Sequence, residues 1–208
     1  MDTKSPDFYF DLDDTLTGTN PYLYRRAKTF TKLNGEHDVH DVLVQSEKNG
    51  LTTLQLPKPI GDYIFTNFLE DGNFMLSVNR SPLLEGNLEA FICLLKTIKA
   101  KGGKVGVCTH RGFHPKAKSY SEYWLDANIG MKHFDEVHVL DPKVHPDKLK
   151  YLETQSESFK LVDDNPLHDL NKVHARDSRI LHYNGISDYS GYRLQRKVKS
   201  VSDIMQLL

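Results

Sequence analysis

The sequence predicts an α/β fold with a parallel sheet between helices, broken after its first strand by a mainly helical insertion. Two observations lead there. From residue 82 onward, short apolar runs alternate with segments of helical period, and residues 17–81 interrupt that rhythm. Strands that alternate with helices form βαβ units, whose sheets are parallel and covered on both faces. The 208 residues suit one domain, or one domain with a sizeable insertion, at roughly 150 residues per domain.

Taken in order, Asp7–Leu12 (DFYFDL) is a short apolar and aromatic run suited to a buried strand. Further strands are predicted at 104–109 (KVGVCT), 134–140 (FDEVHVL), 159–162 (FKLV) and 178–183 (SRILHY). Between them, Leu88, Phe91, Ile92, Leu95 and Ile98 fall on one helix face, and Gly102–Gly103 ends that helix. Helices are also predicted at 114–128 and 147–154. The interrupting stretch begins helically (PYLYRRAKTFTKL), passes polar turns at Asn34–Gly35 and Asn49–Gly50, and ends in aromatic segments near Arg80. The division expected is a core of residues 1–16 and 82–208 with an inserted subdomain of residues 17–81.

Charge and composition exclude several classes of function. With 27 Lys plus Arg against 28 Asp plus Glu, the net charge of −1 gives no general attraction to nucleic acid or anionic lipid. The cluster Arg193, Arg196, Lys197 and Lys199 reads as a solvated helix face. The longest apolar run, Ala90–Leu95, is far short of the ~20 residues that span a bilayer. The start of the chain carries no basic-then-apolar leader pattern, so a cytoplasmic address is expected. Cys93 and Cys108, both inside apolar stretches, read as reduced core thiols. A zinc site at Cys108, His110 and His114 is disfavoured, because no second cysteine pair or His-Glu-x-x-His accompanies them.

The chemistry concentrates at strand ends. The first run delivers Asp11, Asp13, Asp14 and Thr15 at its C-terminal end, where ligand sites of open α/β sheets gather. Adjacent carboxylates repel, and a divalent cation with a taste for hard oxygen, such as Mg²⁺, relieves the repulsion. Asp11 and Asp13 can divide the labour of nucleophile and acid/base if the chain curves after the strand. An acidic helix cap is the bland alternative, and the Asp-x-Asp-x-Thr pattern alone arises by chance in a few per cent of chains this long. It is joined by Thr109 at the end of the second strand, by Lys143 after the third, and by Asp163–Asp164 at the end of the fourth.

Those four parts stand in the order of the haloacid-dehalogenase (HAD) superfamily of Mg²⁺-dependent phosphatases, which the chain resembles over residues 7–16 and 82–183. The resemblance implies that Asp11 attacks the phosphoryl group to form an aspartyl-phosphate, and that Asp13 protonates the leaving alcohol and then activates water. It implies that Thr109 and Lys143 bind the phosphoryl oxygens, and that Asp163 and Asp164 hold Mg²⁺ with Asp11 and the main-chain carbonyl of Asp13. Residues 17–81 occupy the slot of the family's C1 cap. Within the superfamily the order of segments most resembles the 5'(3')-deoxyribonucleotidases.

The expected activity is therefore hydrolysis of (deoxy)nucleoside monophosphates, with a small phosphomonoester as partner and no strong binding of nucleic acid or membrane. The oligomeric state stays open, a dimer included. His110 and Arg111 are further phosphate-binding candidates, and Lys148, 15 positions before Asp163, rivals Lys143. Of the insertion's aromatics Tyr22, Tyr24, Tyr63, Phe65, Phe68 and Phe74, any can stack a base, Phe65 and Phe74 being the expected substrate contacts, although such residues more often form a small core of their own. Three alternatives remain open: a polynucleotide 3'-phosphatase, which the spacing from Lys143 also fits; a phosphosugar phosphatase; and a non-catalytic nucleotide-binding protein on the same fold.

Overall fold

A computed structural model describes residues 5–165, 177–183, 185 and 197–208. Six parallel strands form one sheet: β1 (Asp7–Phe10), β2 (Val105–Thr109), β3 (Glu136–Val139), β4 (Phe159–Asp163), β5 (Ile180–Tyr183) and β6 (Lys197–Val198), in the order β3-β2-β1-β4-β5-β6. β1 lies between β2 and β4, with Phe8 opposite Val105 on one side and Lys160 on the other. Because these neighbours run in one direction, Asp11, Thr109 and Asp163 emerge at the same edge of the sheet.

Strand geometry sends alternate side chains to opposite faces. Phe8 and Phe10 join one buried cluster, with Phe91, Leu95, Trp124 and Ile204, whereas Tyr9 joins a second, with Leu149, Leu152 and Phe159. Gly106 permits this, since a Cβ there would stand 2.7 Å from the Tyr9 ring. The helix α5 (Leu88–Ala100) buries Phe91, Leu94, Leu95 and Ile98, the i, i+3, i+4, i+7 stripe of an amphipathic helix. Each such side chain is worth about 1.5–3 kcal/mol of burial. The helix stops where Gly102 takes a φ of 81°.

Residues between β1 and α5 fold as helices: α1 (Thr19–Leu33), α2 (His37–Lys48), α3 (Lys58–Ile64), a π-helical turn at Phe65–Leu69, and α4 (Phe74–Ser77). The two strings of chain that lead into and out of this helical insertion run side by side. The Gly18 N–H donates to the Asn79 carbonyl (2.8 Å), the Ser81 N–H to the Leu16 carbonyl (3.0 Å), and the Ser81 hydroxyl to the Thr15 carbonyl (2.5 Å). Beyond the sheet's second strand lie α6 (Ala117–Asn128), α7 (Lys148–Leu152) and α8 (Val201–Met205).

Several expectations are corrected. Lys197 lies in β6, not on a helix, while Arg193 and Arg196 fall outside the described residues. Cys108 is in the core, but Cys93 lies on the solvent side of α5 and is exposed. α6 begins at Ala117, so His110 and His114 do not share a helical turn, and neither belongs to a metal-competent cluster among the described residues. No described helix is long and apolar enough to cross a membrane.

Candidate active site

The loop after β1 curls tightly, with the Leu16 and Thr17 N–H groups both donating to the Leu12 carbonyl (2.9 and 2.8 Å). That curvature turns successive carboxylates to different partners. Asp11 is buried and faces Lys148, whose Nζ stands 2.9 Å from Oδ1 as an ion pair. The same ammonium donates to Asp163 Oδ2 at 2.7 Å. Lys148 opens α7, a helix capped by the Asp147 side chain, which accepts from the Leu149 and Lys150 N–H groups. Of the two candidate lysines, the structure therefore brings Lys148 to the carboxylates. Lys143 sits exposed in the preceding turn, where its N–H donates to Asp141 Oδ1 (2.8 Å).

Asp164 is anchored from both sides. Its N–H donates to Thr15 Oγ1 (3.0 Å), and its carbonyl lies 2.8 Å from His182 Nε2. Asp11, Asp163 and Asp164 each offer an oxygen within 4.8 Å of the others, all three buried. Burial pushes the Asp11 carboxyl up to about 7; Lys148 pulls it down, and Asp163 and Asp13 add to the rise. Burial likewise drives Asp164 well above the usual carboxylate range, with Asp14, Asp163 and Asp11 adding their repulsion. Lys148, which burial alone would lower, is raised by Asp11 and Asp163. Five carboxylates (Asp11, Asp13, Asp14, Asp163 and Asp164) thus face two cations, Lys148 and Arg111. A hard divalent cation held by Asp11, Asp163 and Asp164 suits this surplus of negative charge and this all-oxygen donor set.

Asp13 turns away from that cluster. Arg111 donates to it twice, Nε to Oδ2 at 2.8 Å and Nη2 to Oδ1 at 2.6 Å, and the Thr19 hydroxyl donates to Oδ1 at 2.6 Å. Burial raises the Asp13 carboxyl, yet the Arg111 charge and hydrogen bonds outweigh it and hold Asp13 below the usual range. Arg111 follows Thr109 through a turn that Gly112 makes feasible: a Cβ at Gly112 would stand 2.5 Å from the Leu140 carbonyl carbon and the Asp141 nitrogen. The expectation that Arg111 grips phosphate is corrected on position: the guanidinium is fully buried behind Asp13, commits Nε and Nη2 to it, and does not line the cavity, while its buried Nη1 has no hydrogen-bond partner among the described residues.

Asp14 occupies the left-handed region at a φ of 57°, which costs a non-glycine residue about 1–2 kcal/mol and is least costly for Asn or Asp. Its Oδ1 accepts from the Asn20 N–H (2.9 Å) and its Oδ2 from the Asn20 amide, while Asn20 Oδ1 accepts from the Thr53 N–H (2.7 Å). The acidic loop is thereby tied to a turn deep in the helical insertion. The acidic-cap alternative raised for this loop describes Asp14, whose carboxylate accepts from an N–H in the first turn of α1.

Above the carboxylates lies a cavity of about 320 Å³. Its floor includes Asp11, Asp13, Asp164, Thr109 and Lys148, and the Thr109 hydroxyl is buried without a hydrogen-bond partner. His110 also borders it, with Nε2 2.8 Å from the His145 carbonyl. The wall is apolar: Leu23, Leu54, Phe65 and Phe74 from the insertion, with Phe113 from the core. Phe65 and Phe113 are half-exposed, their ring centres 6.0 Å apart. Phe65 and Phe74 are thus brought to the cavity, whereas Tyr22, Tyr24 and Phe68, with Tyr63 packed against them, lie in the main buried cluster that the insertion shares with the sheet. Leu54 and Phe113 escaped the sequence reading; a lone exposed apolar residue in a turn carries no local signal.

No protein-family model matches the chain, and no curated protein matches it in sequence. Solved structures match nearly end to end. A predicted phosphoglycolate phosphatase from Haemophilus somnus 129PT aligns at a TM-score of 0.57 with 17% identity, covering 99% of this chain and 98% of that one. A predicted phosphatase from Clostridium acetobutylicum aligns at 0.55 with 15% identity over the same shares. A HAD family hydrolase from Deinococcus radiodurans R1 aligns at 0.50 with 13% identity, covering 97% and 93%. The chain has the HAD fold. At these identities the likeness speaks for architecture, and the chemistry rests on the residues themselves.

Proposed function

We propose that this chain is a Mg²⁺-dependent phosphomonoesterase that acts through Asp11 on (deoxy)nucleoside monophosphates, in the manner of the 5'(3')-deoxyribonucleotidases. The observation that carries the reading is the group at the cavity floor: a buried carboxylate nucleophile, Asp11, fixed by Lys148, beside an orphaned Thr109 hydroxyl and clustered with two further carboxylates, Asp163 and Asp164. Phosphoryl transfer needs in-line positioning and charge neutralisation more than any other chemistry. Asp11 Oδ attacks phosphorus while the ester P–O bond breaks, and Asp13, which Arg111 holds ionised at rest, relays to the departing alkoxide a proton that it first takes up from solvent. Asp13, now a carboxylate, takes a proton from water as that water attacks phosphorus, freeing Asp11 and releasing inorganic phosphate. Lys148 and the Thr109 hydroxyl stabilise the phosphoryl oxygens, and Lys148 takes over the role first considered for Lys143. Asp11, Asp163 and Asp164 would hold Mg²⁺, which would supply charge neutralisation for the phosphoryl group.

The apolar wall supports a substrate with a flat, uncharged group beyond the phosphate. Among the described residues lining the cavity, only Lys148 and His110 carry an ionisable nitrogen, so a substrate carboxylate such as that of phosphoglycolate finds no second cation there. A nucleobase against Phe65, Phe74 and Phe113 fits better, and residues 17–81 then act as a substrate-selecting cap. The test is phosphate release, with and without Mg²⁺, from mononucleotides, a 3'-phosphorylated oligonucleotide, sugar phosphates and phosphoglycolate, with Asp11→Asn as control. Metal-dependent release concentrated on mononucleotides is expected. Release only from the oligonucleotide or only from phosphoglycolate overturns the substrate assignment, and no release at all overturns the chemistry.

A further inference from the structure

Resting on the phosphomonoesterase reading above, we propose that Arg111 is a positioning residue for Asp13, and that the helical insertion completes the clamp in which Asp13 is held. Arg111 is among the largest fully buried side chains of the protein and does not line the cavity. Its guanidinium meets both oxygens of Asp13, at 2.8 and 2.6 Å, and no other carboxylate among the described residues lies within ion-pair distance of it. A two-point contact between planar groups fixes the carboxylate's plane as well as its place, which a lysine's single ammonium cannot do. The grip therefore acts on the group that must pass a proton in each direction, and reaches the substrate only through it.

The rest of the clamp comes from the first residues of the insertion, just beyond Asp13, and from α4. Thr19, the first residue of α1, donates to Asp13 Oδ1, and Thr17 Oγ1 lies 3.4 Å from Arg111 Nη2. The Phe74 ring of α4 covers the guanidinium at 5.6 Å, a cation–π contact. Thr19 and Phe74 belong to the insertion, whereas Arg111 belongs to the core loop after β2. Asp13 thus has its full set of donors only while the insertion is seated on the sheet edge. Seating the insertion over a substrate sets the acid/base group at the same time.

The test is a kinetic split with a double-mutant cycle on the full-length protein and its best mononucleotide substrate. Arg111→Gln is expected to lower kcat by about 10- to 100-fold while KM and inhibition by inorganic phosphate stay within about threefold. In the Asp13→Asn background the same change is expected to cost less than about threefold more, because its only route to the reaction is gone. Arg111→Lys should fall between Arg111→Gln and the parent. Thr19→Val should lower kcat by about threefold or more without weakening phosphate inhibition. Weakening of phosphate inhibition by tenfold in Arg111→Gln, or a full further loss in the Asp13→Asn background, overturns the proposal in favour of a direct phosphate contact. If Arg111→Gln does not fold, Arg111→Lys carries the test, and parental kcat in that variant overturns the proposal. A parent inactive on every phosphomonoester overturns instead the reading on which the proposal rests.

Discussion

The floor and the wall of the cavity are built on opposite principles. The floor is polar and buried: Asp11 and Lys148, and Asp163 just beneath them, are each at most 8% exposed in their side chains, and every one is locked to another. The wall is apolar and partly open, with Leu54 66% exposed and Phe65 43%. Charges taken out of water must be paired or compensated, so the floor cannot vary one residue at a time. An apolar wall gains its energy from area and shape and tolerates substitution. The comparison teaches where reaction and selectivity should separate: mutations in the floor should abolish turnover or stability, and those in the wall should shift preference.

The largest effect should be that of Asp11→Asn, expected to lower phosphate release by on the order of 10⁴-fold or more, with circular dichroism unchanged. Retained turnover in that variant would remove the floor from the chemistry altogether.

Next in size is Lys148→Met. It strands Asp11 and Asp163 without their shared cation, and breaking a buried pair costs about 3–5 kcal/mol. Lys143→Met, on an exposed turn, should stay within about 0.5 kcal/mol. Urea unfolding of the two variants measures the contrast, and equal effects would return the lysine role to open question.

A smaller effect is expected from pH. Asp11 and Asp14 titrate near 7 in the folded chain but near 4 when unfolded, so the folded state holds more protons between those values. Without divalent cation, the stability these groups contribute is present below pH 4 and lost as pH rises through 7. Added Mg²⁺ should therefore raise Tm more at pH 7.5 than at pH 5. A Tm that ignores Mg²⁺ at both values would contradict the carboxylate cluster as a cation site.

The smallest is Phe65→Ala, a change in the wall. It should raise KM for a mononucleotide by about 5- to 20-fold, the lower part of the range for a lost stacking contact, with kcat and Tm nearly unchanged. A fall in kcat instead would mean that the wall takes part in the reaction and would blur the distinction from the floor.

The same contrast explains what could be read in advance. Strand ends carry chemistry in short local patterns, so the parallel sheet and the grouping of Asp11, Thr109 and Asp163–Asp164 at one edge were legible. The lysine was legible only as a choice between two, because what separates Lys148 from Lys143 is burial, decided by where a five-residue helix begins. Arg111 was misread for a related reason. Its neighbour Thr109 pointed to phosphate, but its partner is Asp13, 98 positions away, and a pairing at that distance leaves no trace in local pattern. Cys93 was misread because an apolar run around a helix does not reveal which of its residues faces outward. Leu54 and Phe113 were missed because a cavity wall assembled from separate turns has no period at all.

The adjacency of the two strings at residues 17–18 and 79–81 has a consequence for how this architecture is assembled and altered. The chain leaves the sheet and returns within hydrogen-bonding distance of its point of departure, and Thr17 bridges Arg80 there. Everything between is, to the sheet, a detour with coincident ends. The entropy of closing such a detour grows only slowly with its length, by about 0.6 kcal/mol for each doubling. The doorway can therefore accept a longer or shorter excursion at little cost in closure entropy, and a new selectivity can be installed over an old reaction by exchanging what passes through it, provided that the Thr19, Asn20 and Phe74 contacts to the acidic loop and Arg111 are kept.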